Sequence, residues 1–115
     1  MIKQITLDNL DEISKVVEDF QKKHGTSVRP FMDQLKDLLS QQARSIFALY
    51  DQMDQAIGYT TIDPSEGEIK TFFIQNSIKE ESNSYQIQER KLFDAAFTYL
   101  KNITPHIRIG GDIST

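Results

Sequence analysis

Residues Phe72 to Ala96, FFIQNSIKEESNSYQIQERKLFDAA, are the stretch whose spacing is most able to do chemistry: an apolar run, a polar loop, then an amphipathic helix. A strand that feeds a loop opening a helix brings the helix's first unpaired N–H groups and its positive dipole end to one spot, which attracts an anionic ligand. The loop itself works against that attraction. It carries Glu80 and Glu81, and it has no glycine to let backbone N–H groups come close to a phosphate. Elsewhere the reactive side chains form no constellation. His24 and His106 lie far apart, with neither cysteine nor the His or carboxylate spacing of a metal site, so no metal is expected. No serine stands in a G-x-S-x-G turn, and Gly110-Gly111 is too short for a phosphate loop and reads as the exit from a strand.

The elements that must position this stretch follow from hydrophobic periodicity. Ile2 to Thr6 alternates apolar and polar residues as a half-buried strand. Asp8 is placed to cap the next helix, with Asp11 in its first turn; Leu10, Ile13, Val16, Val17 and Phe20 mark its apolar face, and Lys22 to Gly25 its end. Pro30 suits the first turn of a second helix that carries Phe31, Met32, Leu35, Leu38 and Leu39 on one side. Ser45 to Tyr50, Ala56 to Asp63 and Glu68 to Gln75 read as an antiparallel meander joined by polar turns. Asn83 or Ser84 then caps a third helix, whose Ile87, Leu92, Phe93, Ala96, Phe97, Tyr99 and Leu100 spread over a wide arc; Pro105 to Ile109 is the last strand. That periodicity assigns Phe72, Phe73, Phe93, Phe97 and Tyr99 to the core.

A chain of 115 residues is one domain, able to remove about two thirds of its unfolded surface from water. It has no cysteine, so neither a disulfide framework nor a thiolate nucleophile is available, which suits the cytoplasm. A net charge of -4 and a pI near 5.1, with scattered Lys and Arg, disfavour nucleic acid as a partner. No run approaches the roughly 20 apolar residues of a membrane span, so a soluble cytoplasmic protein is expected.

Several strings together resemble one family. The opening IKQITLDNLDEISKVV is similar to the first strand and helix of the GNAT superfamily, the acetyl-CoA-dependent N-acetyltransferases. Ala56-Ile57-Gly58-Tyr59 resembles its V-x-G-F/Y strand, Lys70 to Ile74 its fourth strand, Leu92 to Leu100 its L-L-x-x-A-x-x-x-L helix, and Ile107 to Ile109 its fifth strand. The resemblance implies an α/β (α+β) fold over 1–115: a mixed sheet of about five strands with three helices, the N-terminal two thirds of the family fold, without its usual C-terminal helix and last two strands. Those parts usually supply a tyrosine acting as general acid.

It also implies acetyl transfer from acetyl-CoA to a small-molecule or peptide amine. Phe73, Ile74 and Gln75 would then pair with the pantetheine arm, and Ser84, Tyr85, Gln86, Ile87 and Gln88, with Arg90, would meet the phosphates. Glu68 stands where some members place the base that deprotonates the amine, although a solvated turn glutamate is the commoner case, as is a solvent-facing Arg90. The family's Q/R-x-x-G-x-G/A loop is matched here by Ser84 to Arg90, which has no glycine. The alternatives are an inactive GNAT-like lobe of a longer polypeptide, a module that completes its sheet with a second copy through the last strand, or an unrelated α+β binding protein.

Overall fold

The computed structural model describes residues 1–24, 28–75 and 82–113, with side chains described outside 24–31, 82–86 and 110–113. Strand β1 (Ile2–Ile5) leads through a 3-10 turn (Leu10–Ile13) into α1 (Ser14–His24) and α2 (Val28–Ser40). Strands β2 (Ser45–Tyr50), β3 (Ala56–Asp63) and β4 (Glu68–Ile74) form the meander, and α3 (Ser82–Lys101) crosses over to β5 (Arg108–Ile113). Sheet order equals chain order, β1-β2-β3-β4-β5; the first four strands pair antiparallel and β5 lies parallel to β4.

The helices cover opposite faces. Ile13, Val16, Val17 and Phe20 bury the apolar stripe of the first helical segment against Ile5, Ile46, Ala48, Tyr50, Tyr59 and Phe73. The Phe20 ring meets Tyr59 and Phe73 edge to face, at 6.0 and 5.4 Å, contacts worth about 0.5–1.5 kcal/mol each beyond their burial. On the other face Leu92 packs with Leu49, Ile57, Phe72 and Ile74, while Ala96 and Leu100 pack with Ile62 and Ile69. The apolar run Phe72-Phe73-Ile74 therefore needs no alternation, because α1 covers one side of it and α3 the other.

Three boundaries depart from expectation. Asp8 does not cap the first helix: the position before Leu10 is Asn9, which makes no side-chain cap, and its Oδ1 accepts the Thr6 N–H at 2.6 Å instead. The third helix begins at Ser82, so Asn83 and Ser84 lie inside its first turn and its cap position falls outside the described residues. Gly25, expected as a helix stop, lies outside them too. The last strand is Arg108–Ile113, not Pro105 to Ile109. Pro105 has no N–H for the ladder, and Thr104 Oγ1 instead accepts the His106 N–H in a turn before the strand. Gly110 and Gly111 do not end the strand. They sit where the register slips, Ile69 pairing with Ile109 but Thr71 with Asp112, and the β4 residue opposite them, Lys70, is also the extra residue in the β3–β4 pairing.

Candidate functional site

The C-terminal end of β4 gathers groups from three elements. Gln75 donates its backbone N–H to Ile57 O at 2.9 Å, toward β3, so by the alternation of a strand the N–H and C=O of Ile74 face the β5 side. The last described β5 pairing joins Phe72 to Ile113, and β4 runs two residues farther. Among the described residues Ile74 lies beyond the last β5 pairing, with its backbone hydrogen-bonding groups on the β5 side and its side chain buried.

On one face of this edge lies the start of α3. Leu92 packs at Phe72 and Ile74, and Gln88, one turn nearer the helix start, falls on the same stripe. Gln88 Oε1 is sealed from solvent without a hydrogen-bond partner among the described residues, a costly state that an incoming N–H donor would relieve. The N–H groups of Ser82, Asn83 and Ser84, in the first turn of α3, have no partner within the helix.

On the opposite face Phe73 and Gln75 look toward α1. There Gln75 Nε2 donates to Asp19 Oδ2 at 2.7 Å, beside the ring contact of Phe20 with Phe73. Both Asp19 and Gln75 are half-buried.

No protein-family model matches the chain, and no curated protein matches it significantly. Solved structures do match it. A probable acetyltransferase superposes on all of this chain and 78% of its own at a TM-score of 0.76 and 17% identity. A ribosomal-protein-alanine N-acetyltransferase from Brucella melitensis biovar Abortus 2308 does so over 100% and 80% at 0.64 and 9%, and a possible acetyltransferase from Clostridium difficile 630 over 100% and 78% at 0.57 and 14%. The chain has a GNAT-like fold. An unrelated α+β architecture is thereby set aside.

Within this GNAT-like sheet the expected residues separate into groups. Phe73, Ile74 and Gln75 lie at the strand end, and Gln88 falls on the α3 stripe that continues from Leu92, on the side opposite Phe73 and Gln75. Ile87 points outward and is 57% exposed, and its N–H, with those of Gln86 and Gln88, lies past the helix's free first turn. Ser84, Tyr85 and Gln86 lie in the first turns of α3, with side chains outside the description. Arg90 is about 12 Å along the helix from Ser82 and lines an open groove of about 620 Å³ with Glu89, Phe93, Asp94 and Lys101, where the charges are mixed. Glu68 starts β4, about 20 Å along the strand from Ile74, and its Oε2 is 3.1 Å from Lys70 Nζ. The structure does not bring it to the strand end. Among the described residues no group of three His, Asp or Glu side chains gathers as metal ligands, and no helix is long and apolar enough to cross a membrane.

Asp19 was invisible in the sequence. It lies off the apolar stripe of α1, and its link to Gln75 spans 56 positions, so no local spacing marks it.

Proposed function

We propose that this domain binds acetyl-CoA along the end of β4 and transfers the acetyl group to an amine. The observation that supports the reading is that, among the described residues, the Ile74 backbone beyond the last β5 pairing and a buried Gln88 Oε1 without a partner occur on a fold shared with acetyltransferases. Acetyl-CoA, when bound, supplies an acetyl group activated as a thioester. The chain supplies binding and orientation: Ile74 pairs its backbone with the amide-bearing arm, Gln88 Oε1 accepts an N–H from it, and the first N–H groups of α3 receive phosphate. Phe72, Phe73 and Ile74, all buried, keep water from the strand end. Calorimetric titration with acetyl-CoA and CoA tests this, with saturable binding expected in both cases. Absence of heat at millimolar ligand, with the protein folded by circular dichroism, would remove the proposal. The absence of cysteine supports a cytoplasmic setting.

A second reading, a self-associating module, draws on β5. It is the last strand in the sheet order, and Ile109 on it is 58% exposed, so a second copy has an edge on which to add a strand. Light scattering at high concentration is expected to give twice the monomer mass under this reading; a monomeric mass throughout excludes it.

A further inference from the structure

We infer that Asp19 is the carboxylate that binds the amine nitrogen of the acyl acceptor, with Gln75 as the residue that positions it. This inference rests on the acetyl-transfer reading above and deepens it. An acyl donor lying on the Ile74 edge, with its anionic end at the start of α3, occupies the α3 side of the strand end. The acceptor then reaches the same edge from the α1 side, the side faced by Phe73 and Gln75.

On that side, among the described residues, stands the Asp19 carboxylate. Asp19 accepts from Gln75 Nε2 through Oδ2, and among the described residues it pairs with no cation. Its neighbour Glu18 already holds Lys22 at 3.3 Å, and Lys23 has a partner as well. A neutral amide donor on one oxygen fixes the plane of the carboxylate without neutralising it, so Oδ1 is left to accept from an ammonium or amine N–H. Asp19 and Gln75 are half-buried, and the ring of Phe20, next to Asp19 in sequence, meets Phe73 at 5.4 Å; this partial shielding strengthens such a contact. Glu68, at the opposite end of β4 and already paired with Lys70, is not in reach of the same nitrogen.

The test is an NMR titration of the isotope-labelled full chain, following the Gln75 side-chain amide. Probes are spermidine and a lysine peptide, with the Nε-acetylated peptide as the neutral control. Both amines are expected to shift the Gln75 signal, and the acetylated peptide is not. Asp19→Asn should raise the amine Kd about tenfold, the worth of one charge-assisted hydrogen bond, and leave the acetyl-CoA Kd unchanged. Asp19→Glu should recover part of the loss. Gln75→Leu, which leaves the carboxylate in place but unanchored, should raise the amine Kd less than Asp19→Asn does. No shift with either amine, or an unchanged amine Kd in Asp19→Asn, overturns the inference. Amine binding that needs Asp19 in a protein that ignores acetyl-CoA supports the amine site while removing the acetyl-transfer reading, so the two failures are distinguishable.

Discussion

Asp63, at the end of β3, illustrates how a few local donors decide the ionisation of one acid. Burial on its own would raise its pKa. The Ser65 hydroxyl at 2.7 Å, the N–H groups of Glu66 and Ser65 at 3.2 and 3.0 Å, and Arg44 Nη1 at 3.1 Å outweigh that and hold the carboxyl below its ordinary 3.8. The depressed value belongs to the folded state, so its stabilisation is present above the unfolded pKa near 4 and is lost as pH falls through the folded pKa. Asp63→Asn should therefore lose stability at neutral pH and show a flatter decline in stability below about pH 4, as read from denaturant unfolding at a series of pH values. Arg44→Ala should cost about 1–2 kcal/mol, since both side chains are partly shielded from water. Tyr50 shows the opposite case: burial, then the hydrogen bond to Glu12 at 2.6 Å, push its pKa well above the ordinary 10.0, and it stays a neutral donor tying β2 to the turn before α1.

At the scale of elements, the β3–β4 pair is the floor of the proposed site, and Gly58 lets the two strands close. A Cβ there would stand 2.8 Å from Phe73 O and 3.0 Å from Ile74 Cγ1, so backbone would have to give way. Gly58→Ala should destabilise by about 1–3 kcal/mol in chemical unfolding and, by displacing Ile74, weaken acetyl-CoA binding more than a surface variant of equal stability does. Most of this architecture was legible beforehand. The meander of β2, β3 and β4 was written in β-branched and aromatic runs separated by turn residues, and the helices in their apolar stripes. The last strand was misplaced because a glycine pair looks like an ending when only the chain is in view. Opposite an irregularity centred on Lys70 it instead lets the strand continue. The site was half legible: Phe73, Ile74, Gln75 and Gln88 belong to one continuous stretch and could be picked out together. Asp19 could not, since only the packing of α1 on the sheet brings it there; Glu68, named from the family resemblance, starts β4 and lies at the other end of that strand from Ile74.

For the whole molecule, the sheet divides into pairings of very different reach. β2, β3 and β4 are joined by short turns, whereas β1 meets β2 across both N-terminal helices, Ile5 lying opposite Ile46, and β5 meets β4 only after α3. Amides of β3, the central strand of the five, should be the slowest to exchange with solvent, and those of α3's first turns and β5 among the faster, by hydrogen exchange under native conditions. The two halves of the proposed site also come from opposite ends of the chain: the acceptor side from α1, the donor side from α3, both leaning on β4. Hairpins close cheaply and crossovers do not, so the meander has reason to assemble first, with the flanking helices docking on it afterwards. During synthesis this gives an order of events: a ribosome that has released the meander still has the crossover helix to deliver. Asp19 can then meet Gln75 before the donor side of the site exists.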